Sequence, residues 1–447
     1  MVELNVGKFG GSSNKSRQDL ERISKIAGRE GLNILVGSAP GKANTNDEKV
    51  TDMLIEHSRM SGRGRLDDVV DRFRQLGCKN DMIIYDLFSE IDRLGLKGGA
   101  REDAYKSIGE HGTGLVWASS IPGAVFVDPR KIFVFGGDYG NAFILPESEE
   151  LIIKEIGKVI SEGKIAVVPG FYGYDKEGNI KTLPRDGTNL TAAYISQIMK
   201  AKILQNFTDQ KGVLAADPRI VEDARVIPQI TYDELEGLSY HGFNVFQEEA
   251  LAPLLLGGIK MHLRSAQEYP EKGTIIDISR IHDPNKPIVG VSHKPGFCSI
   301  SFRKHGMSRQ PNVISMVAGV FGRNKIPIAY DAGAINDLSY IVEQSYFSSE
   351  GVDIGDVHRE IADLMKIPYE SIAIEPNLEC VAVAGQGMKD REGTLAELTE
   401  IMKDNGVNIK FVNHGTLQSC IIFGVNYQDG ARTVRAIYDE FIREKAA

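Results

Sequence analysis

The run with the clearest chemical promise is Lys8-Phe9-Gly10-Gly11-Ser12-Ser13, which follows a short apolar stretch. Glycines let a backbone bend tightly and aim consecutive N–H groups at an anion. A lysine beside them adds a full positive charge where phosphoryl transfer spreads negative charge. The run is not a Walker P-loop, because Lys8 precedes the glycines and no Gly-Lys-Ser/Thr follows. Taken alone, it serves equally well as a plain strand-to-helix turn.

A loop of this kind needs a sheet to hold it. Leu4–Val6, Ile34–Val36 and Ala166–Val168 are strand-like and each runs into a Gly/Ser/Pro segment. Helical patterns lie between them, as in Ile152–Ile160. Strands alternating with helices predict a mostly parallel sheet covered on both faces. Ligands of such sheets sit beyond the carboxyl ends of the strands, so the loops at 10–13, 37–41 and 170–173 are expected to converge on one cleft.

The texture changes after Asp283-Pro284-Asn285-Lys286-Pro287, which reads as a linker. Beyond it lies a diverged repeat. Asn324, Ile326, Ile328 and Tyr330 are echoed 81 residues later by Asn405, Val407, Ile409 and Phe411. Gly333 and Gly415 follow, the second displaced by one residue. A helical stripe precedes each copy: Val313, Met316, Val317 and Val320 in one, Leu395, Leu398, Ile401 and Met402 in the other. An apolar strand follows each, Leu338–Val342 and Cys420–Val425, so the pattern describes two small α+β modules.

With 447 residues the chain is expected to form two or three units, and 42% hydrophobic with 25% charged residues is a globular composition. A net charge of −9 argues against a sequence-independent nucleic-acid surface but not against a few placed cations holding ATP. Cys78, Cys298, Cys380 and Cys420 are scattered, without zinc-ligand spacing, which suits a reducing cytoplasm and a role as small buried hydrophobes. No signal-peptide pattern opens the chain, and no apolar run approaches the ~20 residues of a membrane helix. The expectation is a cytoplasmic protein with no nucleic-acid or membrane partner.

Read in order, these motifs resemble the aspartate kinases of the amino-acid kinase superfamily over almost the whole chain. Lys8–Ser13 matches the family's opening signature. Ser38-Ala39-Pro40-Gly41-Lys42 with Val50-Thr51-Asp52 resembles the second loop, and Gly109-Glu110 the family's Gly-Glu. Thr208-Asp209, Gly212-Val213 and Ala216-Asp217-Pro218-Arg219 match a characteristic nucleotide-side block, which Ile230–Leu235 continues. The C-terminal repeat looks like paired ACT modules, with Ala382–Met388 matching the start of the second.

The resemblance implies an α/β fold: an amino-acid-kinase αβα sandwich with a mostly parallel central sheet, then two α+β, ferredoxin-like ACT modules. The implied boundaries are 1–285 for the kinase domain, 290–370 for one module and 371–447 for the other. The implied activity is ATP- and Mg²⁺-dependent phosphorylation of the side-chain carboxylate of aspartate. That is the first step toward the aspartate-derived amino acids, lysine and threonine among them, under allosteric control by an amino-acid effector. A homo-oligomer is implied as well. Lys8 would bridge phosphoryl oxygens, with Gly10, Gly11 and Ser12 as donors, while Thr208, Asp209 and Arg219 hold the nucleotide. Arg185 would clamp the α-carboxylate, Glu110 take the α-ammonium, and Ser38, Thr51 and Thr188 line the acceptor side. The acceptor carboxylate is already ionised at neutral pH, so no general base is required. By themselves Glu110 and Thr51 read more readily as ordinary polar helix residues, and Arg219 equally as a turn clamp on Asp217.

The sequence departs from the family where ligands would lie. The substrate loop, usually Gly/Ser-Arg-Gly-Gly-Ser-Asp, is here Pro184-Arg185-Asp186-Gly187-Thr188-Asn189, so the acidic position of the catalytic set (Lys8, Arg185, Asn189) has lost its charge and Asp186 has appeared beside Arg185. That carboxylate would either restore the charge from a shifted place or pair with Arg185. Asn244 and Gln247 stand where a lysine and a histidine are usual, Leu214 where a tyrosine is common, and Gly415–Ser419 differs from the usual run. Two alternatives stay open: a kinase for another amino-acid carboxylate, or a catalytically weak amino-acid-sensing subunit.

Overall fold

The computed structural model describes residues 3–44, 46–60, 64–242, 248–389, 391–415 and 419–443. By contacts the chain forms two compact units: Met1–Val213 with Pro228–Tyr232 and Val245–Arg280, and Leu214–Ile227 with Asp233–Asn244 and Ile281–Ala447.

The first unit opens with β1 (Asn5–Phe9), α1 (Arg17–Arg29) and β2 (Ile34–Gly37). A helical block follows: α2 (Val50–Arg59), α3 (Leu66–Leu76), α4 (Met82–Arg93) and α5 (Gly98–Ser120). Then come β3 (Ala124–Phe126), the hairpin β4 (Phe135–Asp138) and β5 (Asn141–Ile144), α6 (Ser148–Ser161) and β6 (Ile165–Pro169). The hairpin β7 (Tyr172–Tyr174) and β8 (Ile180–Thr182) leads to α7 (Gly187–Ile198), β9 (Ile203–Thr208), β10 (Gln229–Thr231) and α8 (Tyr232–Tyr240), of which only Tyr232 belongs to this unit. α9 (Glu248–Gly257), β11 (Lys260–Ser265) and β12 (Thr274–Asp277) complete it.

The central sheet has eight strands in the order β10-β12-β11-β9-β1-β2-β6-β3. Every pairing is parallel except β11 with β12. The three apolar runs singled out in the sequence are β1, β2 and β6, displaced by at most a few residues. Their near-continuous burial is what a sheet covered on both faces demands. Strand alternation sorts the side chains. Phe9, Leu35, Val167 and Phe207 share one face with Ile108, Val116 and Trp117 of α5 in one core cluster. Lys8 and its register partners Val36 and Asn206 point to the other face, on which α7 packs. The chain can leave β1 and start α1 cleanly because Ser16 and Asp19 form a capping box, a device worth about 1 kcal/mol.

The second unit runs β13 (Gly290–Arg303), α10 (Val313–Arg323), β14 (Ile328–Gly333), β15 (Asp337–Glu343), α11 (Ser345–Ser349) and α12 (Ile354–Met365). The pattern then recurs as β16 (Ile372–Ala384), α13 (Thr394–Asp404), β17 (Ile409–Asn413), β18 (Cys420–Asn426) and α14 (Gly430–Ile437). Its sheet is antiparallel, ordered β14-β15-β13-β16-β18-β17. The long strands β13 and β16 run side by side, Gly290 opposite Ala384 and Phe302 opposite Ile372, so each module borrows half a strand from the other. The repeat is real down to its irregularities. A register shift falls between Ile328 and Tyr330 in β14 and between Ile409 and Phe411 in β17, at the same 81-residue offset. Of the two helical stripes, Val313, Val317, Val320, Leu398 and Met402 are buried, whereas Met316 and Leu395 face outward.

Candidate active site

Parallel order brings four strand ends to one edge. Phe9 is in register with Gly37 and Phe207, and Gly37 with Pro169, so the segments after β1, β2, β6 and β9 emerge together. Backbone hydrogen bonds stitch them: Gly10 N–H to Phe207 O at 3.2 Å, Ser38 N–H to Phe9 O at 3.2 Å, Gly41 N–H to Gly11 O at 3.0 Å and Gly170 N–H to Gly37 O at 3.1 Å. The glycine at 41 is obligatory, because a Cβ there would lie 2.3 Å from Gly11 O. The three glycine loops therefore do converge, as the sequence predicts.

Lys8, Gly10, Gly11 and Ser12 form the phosphate side. Lys8 is only 7% exposed. A Cβ on Gly10 would stand 3.3 Å from Lys8 Nζ, so the absence of a side chain keeps the space over the ammonium open. Burial pulls Lys8 down to about 8, against the carboxylates of Asp186 and Asp209, which favour its charge. Gly11–Ser13 make a single 3₁₀ turn, and Ser12 O accepts from Gln267 Nε2 at 2.9 Å. Thr208 Oγ1 donates to Asp209 Oδ1 at 2.9 Å at the end of β9. The side-chain oxygens of Ser13, Asn189 and Asn206 are buried with no hydrogen-bond partner among the described residues.

The acceptor side is built on α5. Glu110 is 4% exposed; its Oε1 accepts the Ala39 N–H at 3.1 Å, while its Oε2 is buried without a partner. Burial pushes this carboxyl up to about 8. Such an orphaned oxygen is costly unless a cationic ligand completes it. Ser38 begins the same loop, and half-buried Thr51 lies in the first turn of α2, whose Val50 N–H donates to Pro40 O at 3.4 Å. Thr188 is buried at the start of α7, against Gly170, where a Cβ would lie 2.7 Å from Thr188 Cγ2. Arg185 is exposed and makes no ion pair with a described residue. Asp186 adopts the left-handed conformation (φ 61°) as the N-cap of α7, and its carboxylate acts on Lys8.

Arg219 belongs to the second unit. There it clamps Asp217, with Nε at 3.0 Å and Nη2 at 2.6 Å, the turn-clamp alternative read from the sequence. Leu214 lies in the same unit, bridged to Val226. Asn244, Gln247 and residues 416–418 fall outside the described residues. Sequence reasoning missed Arg72, a buried guanidinium on α3 that donates to Gly41 O and pairs with Asp47. It also missed Asn14, which is fully buried beside Ser38. The signal for Asn14 was its place directly after the glycine–serine turn; Arg72 left none.

Residues 3–265 match the model of the amino acid kinase family, and residues 381–441 match an ACT domain. The chain is 29% identical to Aspartokinase 3 of Bacillus subtilis over 98% of each chain. It is 26% identical to an aspartokinase of Thermus thermophilus over the whole of both. Among solved structures, the aspartate kinase of Clostridium acetobutylicum superposes with a TM-score of 0.82 at 26% identity, covering 98% of this chain and all of that one. The Escherichia coli aspartokinase III complex with aspartate and ADP shares the fold, with a TM-score of 0.74 at 20% identity over 99% of this chain and all of that one. A mostly parallel kinase sheet with its glycine loops at one edge, followed by an antiparallel ACT sheet, matches these proteins throughout: the chain belongs to the amino acid kinase family.

Proposed function

We propose that this protein transfers the γ-phosphoryl group of ATP to the side-chain carboxylate of L-aspartate, giving 4-phospho-L-aspartate and ADP. The observation that carries this reading is a buried ammonium, Lys8 near the end of β1, together with a buried carboxyl, Glu110 on α5, whose Oε1 meets the loop after the neighbouring strand β2 and whose second oxygen lacks a partner among the described residues. One group suits phosphate, the other the ammonium of an amino acid.

An aspartate carboxylate oxygen forms the new bond to the γ-phosphorus as the bond to the bridging β,γ-oxygen breaks, and ADP leaves with that electron pair. The nucleophile is already an anion, so no proton need move. Lys8 stabilises the charge on the transferring group, helped by the Gly10–Ser12 amides. Glu110 and Arg185 hold the α-ammonium and α-carboxylate, and Ser38, Thr51, Thr188 and Asn189 orient the reacting end. Thr208 and Asp209 are assigned to the nucleotide.

Among the described residues no group of three or more His, Cys, Asp or Glu side chains is placed to hold a metal ion. Magnesium is expected to arrive with ATP, since it commonly binds through one or two carboxylates plus phosphates. Exposed Asp186 and Asp209 are the residues that would hold it, and when bound it neutralises phosphate charge. Residues 1–285 form the kinase domain, and 290–370 and 371–447 the ACT modules that take an amino-acid effector and support homo-oligomer formation. Four unpaired cysteines, three of them buried, suit the cytoplasm.

Hydroxylamine trapping tests the proposal. With ATP and Mg²⁺, aspartate should yield the hydroxamate. Hydroxamate from another amino-acid carboxylate alone would replace the acceptor, and none from any acid would leave a sensing subunit.

A further inference from the structure

Asn14 ends the 3₁₀ turn of the opening loop, its N–H donating to Gly11 O at 3.1 Å. Its side chain reaches elsewhere: Nδ2 donates to Ser38 O at 3.0 Å, with Thr113 Oγ1 at 3.4 Å, and Oδ1 accepts from Trp117 Nε1 at 3.0 Å. Asn14, Thr113 and Trp117 are all fully buried. Ser38 O belongs to the peptide unit whose N–H, that of Ala39, donates to Glu110. One peptide plane is thus held at both ends, by Asn14 at its carbonyl and by Glu110 at its amide. Glu110, Thr113 and Trp117 lie at i, i+3 and i+7 of α5, on one face. The indole also fills the space over Gly37, where a Cβ would lie 3.0 Å from two ring atoms.

We infer that Asn14 is a positioning residue, anchored by Trp117, that locks the Ser38–Ala39 peptide and so sets Glu110 for the acceptor's ammonium while its own backbone closes the phosphate turn. The inference rests on the reading of Glu110 and Ser38 as the acceptor side. Nothing in the phosphate loop itself requires an amide side chain at this position. What requires it is the simultaneous need for a donor to Ser38 O and an acceptor for a buried indole N–H, which asparagine alone meets at this length, along with glutamine if space allowed. Since Trp117 is the only tryptophan of the chain, its emission reports this junction without interference.

The test compares Asn14→Leu, Asn14→Asp and Trp117→Phe with wild type, using whichever acid the wild-type protein phosphorylates, so that a wrong acceptor and a wrong positioning residue give separate results. Asn14→Leu should raise the acceptor KM about 10-fold or more, as expected for the loss of its hydrogen bonds to Ser38, Thr113 and Trp117, while leaving the ATP KM within about twofold. Acceptor binding should change Trp117 emission in wild type and not in Asn14→Leu. Asn14→Asp keeps the bond from the indole but loses the donor to Ser38 O; it should share the KM defect and serves if the leucine variant misfolds. Trp117→Phe leaves Asn14 its bond to Ser38 O and should show a smaller defect, about threefold. Amide exchange across residues 37–41 needs no turnover and should quicken in both Asn14 variants. An unchanged acceptor KM with unchanged exchange in Asn14→Asp, or equal loss for acceptor and ATP, overturns the inference.

Discussion

The Ala39 N–H donates to Glu110 Oε1 at 3.1 Å, and this single bond is all that the buried Glu110 side chain receives from another described residue. Its other oxygen has been taken out of water and given nothing in return. A protein tolerates that where a ligand supplies the missing charge.

The arrangement has a pH signature. Burial holds Glu110 up at about 8 from an ordinary value of 4.5. A carboxyl with a raised folded value contributes stability fully below its unfolded value and loses it as pH rises through the folded one. Glu110→Gln carries no such loss. Its melting temperature relative to wild type should therefore climb steadily between pH 4.5 and about 8. Wild type should show an ascending limb near pH 8 in kcat/KM for the acceptor, and the same variant should lack it, with activity down about 100-fold or more. Parallel melting curves across that window would remove Glu110 from the acceptor side.

Lys8 should give the opposite limb. Burial lowers it from 10.5 to about 8, so the ammonium that phosphate needs is lost as pH rises through that value. kcat/KM for ATP is expected to fall there. Lys8→Ala should abolish turnover, a loss of about 10³-fold, with circular dichroism unchanged. Lys8→Arg keeps its charge across the window; it should be weakly active, because a planar fork cannot occupy a site shaped for an ammonium, and its ATP profile should be flat. A descending limb that persists in Lys8→Arg would assign it to another group.

Asp186 tunes that limb. Its carboxylate favours the charged form of Lys8, and its backbone sits at φ 61°, where glycine is at ease and aspartate is strained by about 1 kcal/mol. Asp186→Gly should therefore stabilise the backbone while moving the ATP limb to lower pH. Asn189→Asp places a charge where an uncharged oxygen now lies buried without a partner, and should move the limb to higher pH. Rate profiles of the two variants against wild type check both directions. A shift of the same sign in both would show that at least one of the two residues does not act on Lys8 by charge.

How much of this was readable in advance follows from the range of the interactions. The glycine loops, the parallel strands and the 81-residue repeat are local patterns with a fixed period, and the sequence carries them openly. Lys8 stood beside its own glycines. Asn14 and Trp117 are 103 residues apart, and Arg72 reaches Gly41 across 31; no spacing rule links such pairs. Asp186 could be flagged as a departure, but its action on Lys8 became visible only once β1 and the start of α7 were placed together. Arg219 shows the converse: a local clamp on Asp217 was legible from the two-residue spacing and is what the fold contains.

The last prediction concerns the second unit. Glu379, on β16, is 5% exposed, and its two oxygens accept the N–H groups of Gln428 at 3.2 Å and Gly430 at 2.8 Å, at the start of α14. A carboxylate there satisfies orphan amides and meets the positive end of the helix. Gly430 has no room for change, since a Cβ would lie 2.2 Å from Glu379 Oε2. Glu379→Ala removes the cap and should cost about 2 kcal/mol, a fall of about 4–8 °C for a unit of this size. Gly430→Ala displaces the carboxylate instead and should cost a similar amount. The double variant separates the two contacts: once Glu379 is alanine, the Gly430→Ala penalty should shrink but not vanish, because the added Cβ would still lie 2.5 Å from His293 Cδ2. Additive losses in a thermal-melt cycle would mean that the His293 ring, and not Glu379, sets the constraint on Gly430.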